Sequence, residues 1–491
     1  MDRIHLVLRA GLAVAAVVGA ACGDGQGPAV PMHLAFVVEP GATGLDQTLS
    51  PAVVVAVRAQ DGSAAAGWSE PITLTLDALS GAASLAGECE APPVGGTAVF
   101  DDLSVDVPGG DYRLVATSGG LEEAASRPFA VHDVLRAHSL ALGWTHTCAL
   151  DAGGAAWCWG DNEAGQLGDG TRTARDTPVA VATDLRFASL EAGANHTCGL
   201  TAGGDAWCWG LNMAAQLGTG ATSEAEAPTR VLADDGFASL GAGWRHTCGV
   251  TASGRIRCWG TNYYGQIGDG TSAGEPSAPS LVESPESFVD VSGGYYHSCG
   301  LTADGRALCW GRNAYGEVGD GTQEARLVPT PVSGDLRFTS LSAGGSGCHY
   351  HTCGVAIDGR TYCWGRNYQR HLSSPDLLLL TPTPVYGDPG IVSVEVGATG
   401  VCGITAAGDL RCWGTGAEGQ LGIAGVLAAA FPLTVRSDLR FSEVRPGRYH
   451  TCASTDDGRV YCWGRNLEGQ LGNPSTGAGW QVPAPVWKPA G

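Results

Sequence analysis

Lysine is almost absent from this sequence, since Lys488 is the single lysine among 491 residues. A phosphate-binding loop that depends on lysine and a catalytic Schiff-base lysine are therefore excluded. Positive charge is scarce in general, because 28 basic residues stand against 49 acidic residues and leave a net charge of −21. Such a surface repels both nucleic acid and an anionic membrane surface, so neither is expected as a direct partner.

Long apolar runs are also rare, and the run from residue 10 to residue 21 is too short to span a bilayer. It follows Arg3 and Arg9 and ends in small residues, which is typical of an export signal. The stretch Gly19-Ala20-Ala21-Cys22 is similar to a bacterial lipobox and predicts that residues 1–22 hold a signal peptide whose Cys22 is lipidated. The alternative is ordinary cleavage after Ala21. Both predict an exported chain. Lipidation of Cys22 would anchor it at the cell envelope, with the lipid as its only membrane attachment, whereas ordinary cleavage would give a secreted protein.

Short alternating runs bounded by Gly, Pro and Asp occupy the region from residue 33 to residue 132, for example Val53–Val57 and Ile72–Leu76. This pattern predicts an N-terminal β-sandwich, which residues 23–32, rich in Gly and Pro, connect to the export signal. The segment AVFDDLSVDVPGGDYRLVATSGG resembles the last strands of bacterial immunoglobulin-like (Ig-like) domains. That resemblance implies a spacer domain without catalytic residues.

From residue 135 onward the sequence repeats with a period of about 50 residues. Each of seven units carries one cysteine followed by a second cysteine ten positions later, and these pairs account for 14 of the 17 cysteines. The pairs are Cys148 and Cys158, Cys198 and Cys208, Cys248 and Cys258, Cys299 and Cys309, Cys353 and Cys363, Cys402 and Cys412, and Cys452 and Cys462.

Every unit contains short strands and turn sequences such as TAGG and TASG, and none has an apolar pattern of helical period. One unit alone cannot bury both faces of its small sheet, whereas stacking around an axis buries them all. The sequence therefore predicts an all-β fold in which an Ig-like β-sandwich precedes a seven-bladed β-propeller over residues 135–488.

The paired cysteines are expected to form disulfides. Ser253 lies midway between Cys248 and Cys258 within a turn sequence, so a hairpin places these two cysteines opposite each other. A zinc site or a redox pair is the alternative, but structural zinc needs four converging ligands. No metal and no cofactor is expected, and Cys89 and Cys348 have no assigned partner.

The run HTCGVTASGRIRCWGTNYYGQIGDGT, residues 246–271, resembles the repeat of the regulator of chromosome condensation family. The resemblance covers residues 135–488 and implies a seven-bladed propeller, and the paired cysteines resemble exported bacterial versions. Members of that fold include a nuclear exchange factor for a small GTPase, a plant UV-B photoreceptor and a secreted β-lactamase inhibitor. The fold therefore implies little about function.

A histidine recurs at one position in six units, and a tryptophan follows the second cysteine in all seven. Six histidines spread around a ring cannot converge on one metal, so each is expected to hydrogen-bond a backbone group within its own blade. The tryptophans are expected to pack between blades. The histidines are His146, His196, His246, His297, His351 and His450.

The two positions before the histidine differ between units, and equivalent loops emerge on one face of a propeller. Aromatic and arginine side chains, which are enriched at binding hot spots, are frequent there. The alternative is ordinary loop residues that cover the blade edge. The candidate binding residues are Trp144, Trp244, Arg245, Tyr295, Tyr296, His349, Tyr350, Arg448 and Tyr449. Units five and six depart most from the repeat, with a longer loop around Cys348 and with Gly400 in place of the histidine, so we expect the centre of the site there.

Sequence motifs of enzymes are either absent or lie in a structural context that does not support catalysis. The letters GTSAG at residues 270–274 match a nucleophile elbow, but they lie in a turn with no helix after it. We expect a non-enzymatic scaffold, at the cell surface or secreted, that binds a protein or a glycan. The alternatives are a nucleotide-exchange factor or other regulator, which rests on the resemblance alone, and a secreted enzyme inhibitor.

Overall fold

The computed structural model describes residues 31–45, 47–78, 83–347, 349–368, 372, 374–435, 438–474 and 477–488. The regular elements over these ranges are 39 β-strands, which agrees with the all-β expectation. No helix in this part of the chain is long and apolar enough to cross a membrane. The predicted signal peptide with Cys22, most of the linker, and Cys348 lie outside the described residues.

The chain divides into two compact units. One contains the residues up to 41 together with 48–130, and the other contains 42–47 together with the residues from 131 onward. The strands before the repeats are β1 (Pro31–Val38), β2 (Thr43–Gly44), β3 (Val53–Ala59), β4 (Ile72–Asp77), β5 (Leu85–Ala86), β6 (Glu90–Ala91), β7 (Thr97–Phe100), β8 (Ser104–Val105), β9 (Gly109–Thr117), β10 (Ala124–Ala125) and β11 (Phe129–His132).

The first unit is built on two sheets. Strand β3 pairs with β1 and β7 in one sheet, and β4 lies between β9 and β6 in the other. The alternating pattern of β3 buries Val53, Val55 and Val57, while Leu74 of β4 and Leu114 of β9 are buried in the second sheet. Period-two alternation thus gives each sheet one apolar face, as the sequence indicates.

The repeats form seven four-stranded antiparallel sheets, or blades, each made of consecutive strands. Blades one to three are β12 (Ser139–Leu142), β13 (His146–Leu150), β14 (Ala156–Gly160) and β15 (Arg175–Ala180); β16 (Phe187–Ala192), β17 (His196–Thr201), β18 (Ala206–Gly210) and β19 (Ala225–Arg230); and β20 (Phe237–Ala242), β21 (His246–Thr251), β22 (Ile256–Gly260) and β23 (Ser280–Leu281).

Blades four to seven follow the same plan. They are β24 (Phe288–Gly293), β25 (His297–Thr302), β26 (Ala307–Gly311) and β27 (Arg326–Pro331); β28 (Phe338–Ser346), β29 (His349–Ala356), β30 (Thr361–Arg366) and β31 (Leu378–Pro384); β32 (Ile391–Val396), β33 (Gly400–Thr405), β34 (Leu410–Thr415) and β35 (Ala428–Thr434); and β36 (Phe441–Pro446), β37 (His450–Thr455), β38 (Val460–Arg465) and β39 (Gly479–Pro485).

The paired cysteines face each other across the hairpin between the second and third strands of each blade. Cys248 is the direct cross-strand partner of Cys258, and Gly254 makes the turn with a φ of 78°. The Sγ atoms of all seven pairs lie 2.03 to 2.14 Å apart, as disulfides. The cysteines are buried, so the bridges staple the interior of each blade.

The ring closes by contacts between blade seven and blade one rather than by a strand shared between them. The Ala137 amide donates to the Gly458 carbonyl at 2.8 Å, which matches the bond from Phe187 to Gly154 one junction further on. The Leu135 amide adds a bond to the Val486 carbonyl at 2.9 Å. The last junction therefore repeats the bond of an internal one and adds backbone pairing between residues 133–136 and blade seven.

A ring of glycines lets the first strands approach closely at one end of the axis. A Cβ on Gly193 would lie 2.4 Å from the Gly243 carbonyl oxygen and 2.1 Å from Cε1 of His196. A Cβ on Gly447 would lie 2.8 Å from the Gly143 carbonyl oxygen. Only glycine fits at these positions, and the loops that follow them are thereby held near the axis.

Candidate functional site

The repeated histidines join neighbouring blades, so the expectation that each bonds a backbone group of its own blade is wrong. His146 Nε2 lies 2.9 Å from Thr197 Oγ1 in the next blade, and His450 Nε2 closes the ring 2.8 Å from Thr147 Oγ1. Burial lowers the pKa of His146 to about 4, so the imidazole is neutral at pH 7. Five of the six histidines, namely His146, His196, His246, His297 and His450, make such contacts between blades, and burial lowers the pKa of each.

The tryptophans that follow the second cysteine also contact a neighbouring blade, as predicted. Trp209 is fully buried, and its indole N–H donates to the Gln166 carbonyl of the preceding blade at 3.0 Å. The Thr197 hydroxyl donates to the same carbonyl at 3.0 Å. One backbone oxygen thus receives two bonds across the junction, which explains why His, Thr, Trp and Gln recur together.

The nine candidate residues all lie on one end of the ring, seven of them in the loops that follow the glycine ring and two, His349 and Tyr350, at the start of β29. Trp144 of blade one stacks on Trp244 of blade three with ring centroids 6.2 Å apart, and on Tyr295 of blade four at 6.1 Å. Tyr295 also meets Tyr350 of blade five edge-on at 5.5 Å. The variable loops therefore converge over the axis instead of forming separate points around a ring.

Arginines complete this cluster through cation–π contacts. The guanidinium of Arg448, from blade seven, lies 4.1 Å from the Trp144 ring centroid, and that of Arg245 lies 4.4 Å from the Trp244 centroid. Tyr449 lies beneath Arg448 at 4.7 Å. His349 lies at the edge of the cluster, with its ring 5.5 Å from that of Tyr368.

Sequence reasoning missed several members of the cluster. Arg312 lies 4.1 Å from the Tyr350 centroid and 4.9 Å from that of Tyr315, and Arg366 lies 4.4 Å from Tyr315. Tyr264 packs on Tyr296 at 4.9 Å. Arg312 and Arg366 occupy the variable position of the CWGxN stretch at the end of the third strand, and Tyr264 and Tyr315 lie two residues after its asparagine. The variation at these positions was a usable indication.

We name this cluster the aromatic cap. Its members are Trp144, Trp244, Arg245, Tyr264, Tyr295, Tyr296, Arg312, Tyr315, Tyr350, Arg366, Arg448 and Tyr449. It draws on blades one, three, four, five and seven. Of the two blades that the sequence analysis selected, blade five contributes to the cap, whereas blade six has only the buried Ala398 at the equivalent position.

A cavity of about 420 Å³ runs along the axis, and Trp144, Trp244, Tyr295 and Arg448 of the cap line it at one end. Further in, the lining includes charged side chains that the sequence analysis did not select. Arg445 NH1 lies 3.4 Å from Glu395 Oε1, its Nε lies 3.2 Å from Glu443 Oε1, and its NH2 lies 3.9 Å from Glu191 Oε1. These residues occupy positions of the first strand that vary between units.

Several carboxyl groups surround Arg445 in the cavity, and their burial shifts their pKa values. Burial raises the pKa of Glu191 to about 7, although Arg445 opposes the shift. Burial also raises the pKa of Glu395 and of Asp290. Nearby carboxylates, with Glu395 foremost, raise the pKa of Arg445, which stays charged.

The described side chains form no group of three or more His, Cys, Asp or Glu residues that could hold a metal ion. The cap instead offers large flat rings and guanidinium groups, which suit binding by stacking, apolar contact and charge.

Comparison with known proteins places this chain among RCC1-like sequences in part of its length. The family model described as RCC1-like domain matches residues 112–349, and the model for the regulator of chromosome condensation (RCC1) repeat matches residues 447–470. These segments carry the repeat from which the resemblance was inferred.

Two curated relatives illustrate the range of proteins that contain such repeats. The mitochondrial RCC1 domain-containing protein RUG3 of Arabidopsis thaliana is 30% identical over 156 residues, covering 30% of this chain and 34% of the relative. The probable E3 ubiquitin-protein ligase HERC4 of Homo sapiens is 29% identical over 140 residues, covering 27% of this chain and 13% of the relative. The chain thus spans only about a third of the first relative and a smaller part of the second.

Solved structures show the same fold. Human WBSCR16 matches with a TM-score of 0.61 and 22% identity, over 68% of this chain and 95% of that chain. Yeast RCC1 (Prp20), in its structure bound to Kap60, matches with a TM-score of 0.57 and 20% identity, over 63% and 78%. A second Prp20p structure, described with binding to Gsp1p and histones, has a TM-score of 0.57 and 21% identity, over 66% and 81%. The repeats therefore form an RCC1-type propeller.

Proposed function

We propose that this protein is a non-enzymatic scaffold that binds a partner protein through the aromatic cap. The observation that carries the proposal is the convergence of variable side chains from five blades into one stacked cluster at one end of the axis. Residues common to all units are used in the blade junctions. The cap residues differ from unit to unit, so ring architecture does not require them.

The chemistry of the cap supports protein binding. Tryptophan, tyrosine and arginine dominate binding hot spots because they bury large areas at low entropic cost. The cap stays half-buried, with the rings stacked on one another, so its conformation is set before a partner arrives and little ordering is needed on binding. Proteins of the same fold, such as Prp20 with Kap60, bind proteins.

We also propose that the scaffold is exported and tethered through a lipid on Cys22, with residues 33–132 as an Ig-like spacer. Seven buried disulfides suit an oxidising compartment, where such bonds persist. Mass spectrometry of the mature N-terminus and a thiol count on the native chain test this placement. A diacylated Cys22 and fourteen protected cysteines are expected, whereas an unprocessed N-terminus with reduced cysteines would contradict it.

Partner capture tests the binding function. The mature chain is immobilised and exposed to an envelope extract beside two variants, Trp144→Ala with Trp244→Ala, and Tyr386→Ala as the control. Tyr386 is exposed and lies beside the hairpin turn at Gly359, at the end opposite the cap. We expect the control to retain the same proteins as the wild type and the double variant to lose them at least about tenfold.

Two results would contradict the proposal. One is equal retention by all three proteins, which would place binding outside the cap. The other is the absence of any retained protein. Thermal unfolding of the double variant shows whether a loss of capture reflects the surface or the fold.

A further inference from the structure

The arginines of the cap have unused hydrogen-bonding capacity, and this points to the chemistry of the partner. We infer that the aromatic cap binds an acidic segment of a partner protein, whose Asp or Glu carboxylates meet Arg245, Arg366 and Arg448 while its apolar side chains lie on the rings between them. The inference rests on the proposed function and makes it more specific.

The guanidinium groups of Arg245, Arg366 and Arg448 make no hydrogen bond and no ion pair with any residue that the structure describes. Several exposed arginines elsewhere on the propeller are paired, as Arg230 is with Asp205 at 2.6 Å and Arg257 with Asp235 at 2.9 Å. The protein has 49 acidic and 28 basic residues, yet no carboxylate of the described residues lies within ion-pair distance of these three guanidiniums. Their charge therefore remains available for an outside group.

The guanidiniums are nevertheless held in place by the rings. Arg448 lies over Trp144 and Arg245 over Trp244, so the two charges flank a stacked pair of indoles. Arg366 lies over Tyr315, which stacks on Tyr350 with an interplanar angle of 3°. A stacked guanidinium keeps its edge N–H groups free, and these groups match a carboxylate in a two-pronged arrangement.

Two further arginines of this end do have carboxylate partners. Arg312 lies 3.9 Å from the buried Glu317, and Arg465 lies 3.4 Å from Glu468. Glu317 stands where five of the other six units have glutamine, so blade four supplies an acid for its own arginine. Glu317 also interacts electrostatically with Arg366 of blade five, whereas no described carboxylate forms an ion pair with Arg245 or Arg448.

Charge over the whole molecule favours a short acidic segment over a polyanion. The net charge of −21 repels a nucleic acid or a long sulfated glycan wherever it extends beyond the cap. A peptide that mixes carboxylates with apolar residues matches both components of the cap. Such a peptide also extends less negative charge beyond the edge of the cap than a polyanion does.

Fluorescence anisotropy with defined probes tests the inference. The first probe is a labelled peptide in which Glu alternates with Phe and Ser, and the second has Gln in place of each Glu. The proteins are the wild type, the cap variant Arg245→Gln with Arg448→Gln, and the control variant Arg230→Gln with Arg257→Gln. The two variants change the net charge equally, so a difference in their affinity for the peptide depends on where the substituted arginines lie.

We expect the Glu peptide to bind the wild type and the control variant alike and to bind the cap variant at least about tenfold more weakly. The Gln peptide is expected to bind at least about tenfold more weakly than the Glu peptide. Equal binding of both peptides, no binding of either, or equal loss in the two variants would overturn the inference. Tighter binding of a heparin oligosaccharide or a single-stranded oligonucleotide than of the Glu peptide would overturn the assignment to protein.

Failure of this inference can be told apart from failure of the proposed function. If envelope proteins are retained by the Arg245→Gln, Arg448→Gln variant but lost by the Trp144→Ala, Trp244→Ala variant, the cap binds proteins without using carboxylates. If neither variant changes retention, the cap is not the binding surface.

Discussion

Two kinds of blade junction occur in this propeller, and the second kind is found on both sides of blade six. At five junctions an imidazole meets a hydroxyl of the next blade, as His196 meets Thr247 at 3.0 Å. Blade six has Val401 in place of the hydroxyl residue and Gly400 in place of the histidine. At the junction with blade five, Val401 has no hydroxyl to meet His351. At the junction with blade seven, Gly400 has no imidazole to meet Thr451.

Blade six is held by contacts inside the cavity instead. Ser342 of blade five donates to Glu395 Oε2 at 3.0 Å and accepts a bond from the Val396 amide at 2.9 Å. On the other side, Arg445 of blade seven pairs with the same Glu395 at 3.4 Å. A blade junction in this repeat can therefore be held by side chains of the first strand in place of the histidine–hydroxyl contact, while the backbone of the blade remains the same.

The largest expected effect concerns the glycine ring, which both kinds of junction share. Gly193→Ala at a regular junction and Gly397→Ala at blade six should each lower the free energy of unfolding by about 3 kcal/mol, because the added Cβ meets backbone of the next blade. Gly203→Ala is the control, since its Cβ would meet nothing closer than 3.8 Å. Urea unfolding measures all three. A small effect at Gly397 alone would show that blade six is not closely packed.

The next effect isolates the substitute contact. Arg445→Gln should lower the free energy of unfolding by about 2 kcal/mol, because it leaves Glu191, Glu395 and Glu443 together without their cation. The variant Arg445→Gln with Glu395→Gln should recover part of this loss. If the second substitution adds to the loss, the two residues do not act as a pair.

A reciprocal exchange tests the regular junction. Thr197→Val removes the hydroxyl that meets His146 and should cost about 1.5 kcal/mol, since the buried imidazole loses its partner. Val401→Thr makes the opposite change at blade six, and we expect it to cost less than Thr197→Val. Urea unfolding of both variants compares the two junctions directly. If the two substitutions lowered the free energy of unfolding equally, the hydroxyl would be no more important at the regular junction than at blade six.

The smallest effect depends on pH. Because the pKa of Glu191 is raised to about 7, above its value in the unfolded chain, this residue favours the folded state below about pH 4.5 and loses that contribution as pH rises through 7. Glu191→Gln should therefore gain about 1 kcal/mol over the wild type at pH 8 and none at pH 4. Thermal unfolding at both pH values measures the difference. The same gain at both would contradict the assignment.

Much of the propeller could be predicted because each blade repeats the same local information. The spacing of Cys248 and Cys258 around a turn sequence gives the hairpin, and seven copies give the ring. The partner of His146 could not be predicted, because Thr197 lies in the next unit and nothing in one unit shows which row of its neighbour it will face.

The site was predictable only in part for the same reason. Loop positions before the histidine lead to Trp144 and Arg448, but their meeting over the axis depends on how far each loop leans inward from the glycine ring. Arg312 and Arg366 belong to a different loop of each blade, and Arg445 belongs to the first strand. Their convergence is a property of the closed ring and not of any single repeat.

Site-specific photocrosslinking tests the central claim most directly. A benzoyl-phenylalanine is placed either at Tyr263, which is 61% exposed beside the cap, or at Tyr386, which is 76% exposed at the opposite end. Irradiation in the presence of envelope extract should attach a partner protein at position 263 and none at position 386. Crosslinks at 386 alone, or equally at both positions, would contradict the assignment of the cap as the binding surface.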